Sequence, residues 1–285
     1  MVQKQITRGT SRTLGRLGSL STRLAVSDEE IREAQKIRFE VFCEEFFAHQ
    51  QKDPSSRVEQ EEHDKWCDHL LVLDTANEAS PKTVGTQRFL VKKASDKTPV
   101  FRSQSEFDLE GLAVRHPDKT FMELGRSCIL EAYRSKRTME LMWHGTWAYA
   151  IENGVDVMTG CASFHAQSIE DIKPALNFLA SLSVPDTPWK VDPVSDDCLS
   201  IQQLLLEDDI AIEPKKAIRT LPPLIKGYLR LGAVFSDHVV FDKAFGTIDI
   251  AVILPVENIN PRYVNYYGAD ASKHDKPLSS ASSEG

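Results

Sequence analysis

The 285-residue chain has no apolar run approaching the ~20 residues that cross a bilayer. Its first residues lack the apolar core of a secretory leader. Cysteine is scarce: Cys43, Cys67, Cys128, Cys161 and Cys198 make an odd number with no C-x-x-C pair. That argues against a disulfide framework and for a reducing compartment. No Cys/His spacing resembles a zinc site, so no metal is expected. A Gly-rich phosphate loop and an internal repeat are both absent. Positive charge is short as well, with 34 Lys and Arg against 42 Asp and Glu. A net charge of −8 excludes general nucleic-acid binding, which needs a basic surface. The expectation is a soluble cytoplasmic protein.

What is present suffices for a full core, at 41% hydrophobic residues. Residues 1–20 carry Lys4, Arg8, Arg12 and Arg16 without an acid. They read as a disordered basic arm, solvated or resting on an anionic membrane, where each charge is worth ~1 kcal/mol. A short strand, Thr22–Val26, precedes the capping box Ser27-x-x-Glu30. The helix it opens carries an apolar stripe through Ile31, Ala34, Ile37, Val41 and Phe42, with Arg38 beside the stripe. A polar, mobile loop over Asp53–Gln60 and an acidic run from Glu61 to Asp68 follow. Strands are expected over His69–Asp74, Thr83–Lys92, Phe121 onward, Asp156–Phe164, Val234–Asp242 and Thr247–Leu254. Helices are expected over Thr138–Asn153, Ile169–Leu182 and Leu221–Leu231, the last closed by Gly232. Val184–Glu213 reads as a long connection, and residues 268–285 as a disordered tail. Successive strands without an intervening helix, twice over, exclude an all-parallel sheet. Residues 21–267 are therefore read as one mixed α/β domain.

Charges inside strands are the strongest chemical signal. Glu123 and Arg126 interrupt Phe121–Ile129, and Arg88 sits mid-strand. An unpaired buried charge costs several kcal/mol or neutralises itself. Either the two form a structural Glu–Arg pair, or a carboxylate stands at the floor of a cleft. Two H-x4-D spacings, His63/Asp68 and His69/Asp74, are best read as chance. Cys161-x-Ser163-x-His165 lies on one strand face, but no acid orients the histidine, so packing is the better role for Cys161.

Several stretches resemble a known family. Arg38-Phe39-Glu40-Val41-Phe42, Gly85-Thr86-Gln87-Arg88 and Glu123-Leu124-Gly125-Arg126-Ser127 resemble the acyl-homoserine-lactone synthase branch of the GNAT superfamily. A longer likeness, from about Leu14 to Ala271, is to bacterial L-ornithine Nα-acyltransferases. It includes Gly160-Cys161-Ala162-Ser163-Phe164, the segment Leu221–Gly232, and Arg262–Asp270. The resemblance implies a GNAT-like twisted mixed sheet flanked by helices, with a C-terminal extension. It implies transfer of a 3-hydroxyacyl chain from acyl carrier protein to the α-amine of L-ornithine, giving lyso-ornithine lipid. The donor is then the acyl-phosphopantetheine of the carrier protein, with no tightly bound cofactor. The glycines of the usual pyrophosphate loop are missing near Tyr133–Arg137, which suits a carrier-protein donor whose single phosphate meets Arg and Lys side chains.

On this reading Glu123 is the base that takes the α-amine proton, and Arg126 shares the catalytic centre. Backbone N–H groups at Gly125–Ser127 are candidates for the oxyanion if the strand bulges there. Arg88 and Arg126 are candidates to grip the ornithine carboxylate, with Arg38 and Ser127 nearby. Asp64 or Asp68 is expected to meet the δ-ammonium; alternatively, Asp68 pairs with Arg88 across neighbouring strands. Trp143, Trp147 and Phe164 are candidates to line an acyl groove. Arg134, Lys136 and Arg137, and Lys226 and Arg230 with Lys215, Lys216 and Arg219, offer basic faces for the carrier protein. Competing readings are an acyl-homoserine-lactone synthase-like enzyme, an acyltransferase for another amino acid, and a non-catalytic membrane-associated binding protein.

Overall fold

The computed structural model describes residues 12–46, 54–77, 79–166, 168–184, 186–208 and 213–259. Among the described residues nine strands form one sheet: β1 Thr13–Leu17, β2 Leu20–Leu24, β3 Asp68–Asp74, β4 Lys82–Lys93, β5 Thr120–Ile129, β6 Val157–Phe164, β7 Cys198–Ser200, β8 Val234–Asp242 and β9 Thr247–Pro255. Their order is β1-β2-β3-β4-β5-β6-β9-β8-β7. Only β5 and β6 run parallel; the other pairs are antiparallel. Among the described residues seven α-helices flank the sheet: α1 Asp28–Arg38, α2 Leu109–Arg115, α3 Lys136–Glu152, α4 Ile169–Ser181, α5 Ile201–Asp208, α6 Pro214–Thr220 and α7 Pro223–Leu231.

Alternation along the strands sorts side chains between two layers. Leu70 and Val72 of β3 and Met122 and Leu124 of β5 join the larger core with α3 to α7. Leu71 and Leu73 face α1 instead, and Phe121 packs with Leu109 and Leu112 of α2. The second face carries the buried charges and is called the site face below.

Local signals explain the well-anticipated elements. Ser27 caps α1 by accepting from the Glu30 N–H. Glu30 turns back to the Val26 N–H and to Arg23 rather than closing the box on Ser27. Gly232 ends α7 at φ 91°, a conformation glycine takes without strain.

Two expectations give way. From Thr13 the anticipated arm is already sheet, because Leu14, Leu17 and Leu20 pack against the core beneath α3; residues 1–11 lie outside the described residues. The expected connection Val184–Glu213 contains β7 and α5, since Ile201 and Leu204 are buried in the main core and Gln202 donates to the Ala180 carbonyl. The expected tail 268–285 and the Arg262–Asp270 stretch also lie outside the described residues.

Candidate active site

The site is organised by a fork in the sheet. β5 and β6 pair only over Phe121–Glu123 and Val157–Thr159, after which β6 continues against β9 alone. Gly160 sits at the crotch, where an added Cβ would lie 2.5 Å from the Leu124 carbonyl oxygen. Just beyond, β5 bulges. Thr86 pairs with Cys128 and Arg88 with Gly125, so Gln87 alone faces Arg126 and Ser127. Arg126 has φ 52°, a left-handed conformation costing a side-chain-bearing residue roughly 1–2 kcal/mol. The bulge points the Arg126 guanidinium toward Glu59 and Glu61, not Glu123. The Glu123–Arg126 pair offered as the structural alternative therefore does not form.

Glu123, 6% exposed, instead accepts from the Arg102 and Ser103 backbone N–H groups at 2.8 Å each and from the Ser103 hydroxyl. Three donors fix its carboxylate and anchor the turn Arg102–Ser105 over the fork.

Beside it lies a buried ionic network. Arg38, fully buried, forks onto Asp64 with two bonds of 2.9 Å and also meets the Glu59 carboxylate. Arg88 donates to Glu61 and Asp64 at 2.8 Å each. Arg126 bonds Glu59 and Glu61, and Arg102 reaches Glu61 at 3.3 Å. Burial alone would raise the acids, but Arg126 and Arg88 hold Glu61 down at about 2, and Arg38 and Arg88 hold Asp64 well below the usual carboxylate range. Four guanidiniums meet Glu59, Glu61 and Asp64, and Arg102 also reaches Glu106 at 3.6 Å, so cations and carboxylates are matched in number. The network's partly exposed cations are Arg102 and Arg126, with side chains 25% and 14% exposed.

Other expected residues lie elsewhere. Asp68 pairs in register with Phe89 and accepts from Tyr149 of α3, on the opposite sheet face from Arg88. Neither its δ-ammonium role nor its pairing with Arg88 survives, because a one-residue offset reverses the face. Ser127 accepts from Gln87, which in turn accepts from Thr146 of α3, so it too is turned to the helical layer. Asp64 is saturated by Arg38, Arg88 and Gln35. Trp147 and Phe164 are buried in the main core and Trp143 packs edge-on against Tyr228, so all three bind helices to the sheet. Arg134 is engaged bidentately by Glu45, whereas Lys136, Arg137 and Arg230 are exposed. Lys226 donates to the Arg219 carbonyl at 3.0 Å. The H-x4-D pairs separate: His63 contacts the Val100 carbonyl, and Asp74 accepts from Tyr133.

Five site-face residues escaped the sequence reading of roles: Glu59, Glu61, Arg102, Glu106 and Asp249. Glu59 lies in the stretch expected to be a mobile polar loop, yet it is 4% exposed and clamps Arg38 and Arg126. Asp249 carried the same signal as Glu123, a lone acid within the apolar strand Ile248–Leu254. Cys161 donates its S–H to Glu106 at 3.4 Å. Burial and the charges of Glu106 and Asp249 push its thiol well above the ordinary range, which keeps it from being a thiolate nucleophile.

Comparison with known proteins then places the chain. Residues 37–144 match the family model described as acetyltransferase (GNAT) domain. The L-ornithine Nα-acyltransferase of Rhizobium meliloti (strain 1021) is 45% identical over 283 residues, covering 98% of this chain and 94% of that protein. The chain belongs to the L-ornithine Nα-acyltransferase family. A relative of the same name from Brucella abortus is 43% identical over 270 residues, covering 93% of this chain and 94% of that one. Among solved structures, the N-acyl amino acid synthase FeeM, from uncultured soil microbes, aligns with TM-score 0.49 at 12% identity, covering 84% of this chain and 91% of its own. The family is an acyltransferase family, and the matched GNAT segment holds the buried network and β5, while β6 lies beyond it. No helix among the described residues is long and apolar enough to cross a membrane.

Proposed function

We propose that this enzyme moves a 3-hydroxyacyl chain from the phosphopantetheine of acyl carrier protein to the α-amine of L-ornithine, giving lyso-ornithine lipid. The observation that carries this reading is identity of 45% across 98% of the chain with a relative so named. The geometry supports direct transfer. An amine attacks a thioester only when neutral, so a base must take its proton. Glu123 stands at the fork with its carboxylate held by three donors, poised to take that proton directly or through water. Arg126 and Arg102, the partly exposed cations of the network, suit the acceptor carboxylate. The bulge at Arg126–Ser127 frees backbone from the β4 register beside Glu123, where N–H groups suit a developing oxyanion. The thioester enters along the fork between β5 and β6. Cys161 takes no part as a nucleophile, because it is held as a thiol.

Donor recognition rests on charge. The first turn of α3 contains no acid, and Lys136 and Arg137 are exposed there. A pantetheine phosphate at that terminus meets the helix dipole and two cations. Glu123→Gln tests the chemistry, since it keeps shape while removing basicity. The rate of acyl transfer at saturating ornithine should fall on the order of 10²- to 10⁴-fold. A folded variant with an unchanged rate would remove Glu123 as base.

A further inference from the structure

One site-face cluster is not used by this mechanism. Glu106, Cys161 and Asp249 bring their carboxylate oxygens and sulfur within 4.8 Å of one another. Asp249 is 6% exposed, and its Oδ1 has no hydrogen-bond partner. Asp242 adds a third negative charge nearby, though its Oδ1 already accepts from Ala244 and Phe245. Arg102 reaches Glu106 at 3.6 Å but is shared with Glu61, and Arg126 is held by Glu59 and Glu61. Burial and the charge of Asp249 push Glu106 up to about 7, and burial, against hydrogen bonding from Thr247 and Ser163 and with a smaller push from Asp242, raises Asp249 to about 6. An acidic cluster with a single shared cation thus lies beside the arginine network. A buried carboxylate oxygen without a donor is costly unless a ligand completes it.

We propose that Glu106 and Asp249 bind the side-chain ammonium of a diamino acid acceptor and so select ornithine over amino acids with one amine. This rests on the acyltransferase reading above and adds the group that sets its acceptor specificity. The spacing fits. Glu123 pairs with Thr159, and Cys161 lies two residues further along β6 on the same strand face, so a step of about 6.6 Å along the strand and about 4.8 Å between strands sets it roughly 8 Å from Glu123, the span of two nitrogens plus a hydrogen bond. The two nitrogens of extended ornithine are five bonds apart, about 6 Å. An ammonium brings three donors, which match the Glu106 carboxylate and the unpartnered Asp249 Oδ1. A divalent metal fits less well, because a metal-bound cysteine must be deprotonated, and Cys161 donates its proton to Glu106.

The test compares kcat/KM for ornithine and for norvaline, which has the same carbon chain without the second amine. The wild-type enzyme should prefer ornithine by at least ~10³-fold, as sites built to hydrogen-bond a polar group do. Asp249→Asn and Glu106→Gln should each shrink that ratio at least roughly tenfold, chiefly through KM for ornithine. Wild-type enzyme that takes norvaline within about tenfold of ornithine overturns the proposal without any variant. So do active variants with an unaltered ratio, or an ornithine preference that disappears with EDTA and returns with zinc. If the wild type acylates no amino acid, the acyltransferase reading fails. Calorimetric titration with ornithine and norvaline then still decides the pocket: equal affinity overturns it, and binding of ornithine alone supports it.

Discussion

Asp249 and Glu61 share the site face and answer pH in opposite directions. Despite burial, Arg126 and Arg88 hold Glu61 at about 2 against an ordinary 4.5. Its stabilising contribution is therefore present above pH ~4.5 and is lost as pH falls toward ~2. Burial raises Asp249 from 3.8 to about 6 and Glu106 from 4.5 to about 7. The native state then holds protons that the unfolded chain has released, so stability declines as pH climbs through that window. Together these groups place a stability maximum near pH ~4 to 5. Asp249→Asn, facing Glu106, Cys161, Asp242 and the flanking Arg102 and Arg126, should raise ligand-free stability at pH 7.5 on the order of 1–3 kcal/mol. Its effect at pH 4 should be much smaller. Thermal melts at both values check this, and a variant that melts earlier than wild type at pH 7.5 contradicts it. The sequence displays a charge inside a strand, which singled out Glu123, Arg126 and Arg88. It does not display pairing, which depends on register and on loops. The Glu59–Arg126 contact joins residues 67 apart in sequence, beyond the reach of any local pattern, and the mutual Glu123–Arg126 pair, the structural alternative, does not form.

At the scale of elements, the fork depends on one close approach. An alanine at Gly160 would place Cβ 2.5 Å from the Leu124 carbonyl oxygen, and that atom is backbone with neighbours on both sides. Gly160→Ala should therefore move β5 against β6 at the point where Glu123 and the bulge are set. The expected result is a loss of acyl-transfer rate of at least ~10-fold, in line with small misplacements of reacting groups, and a lower Tm. Full activity in this variant would show that the fork tolerates displacement. Elements with strong local signals were legible: the Ser27 cap, the Gly232 stop and the alternating strands. β1, β7 and α5 were not. Their apolar residues are few, and what orders them is burial against distant parts of the core. The bulge was anticipated only as a condition of the chemistry, since nothing local in Gly125-Arg126-Ser127 dictates which residue turns left-handed.

At the scale of the whole molecule, the proposed acyl carrier protein donor requires a local basic face on a chain whose net charge is −8. α3 and α7 lie in the same helical layer, where Trp143 packs on Tyr228, so Lys136, Arg137 and Arg230 belong to one side of the sheet. Steering by such charges acts on encounter and is screened over ~8 Å at physiological salt. kcat/KM for acyl carrier protein should fall as salt rises, and Arg137→Glu should flatten that dependence. A donor KM indifferent to both would remove this face from docking. The mixed sheet was legible from the order of strands, but the division into a helical layer and a charged site face was not. Asp68 fell on the wrong side for that reason. The central claim is acyl transfer to the α-amine of ornithine, and the most direct test is the product itself. Purified enzyme is incubated with 3-hydroxyacyl carrier protein and an equimolar set of amino acids, and the products are fragmented by mass spectrometry. The account predicts ornithine as the dominant acceptor, acylated on its α-nitrogen; acylation of the δ-nitrogen, or a preference for an amino acid with one amine, would contradict it.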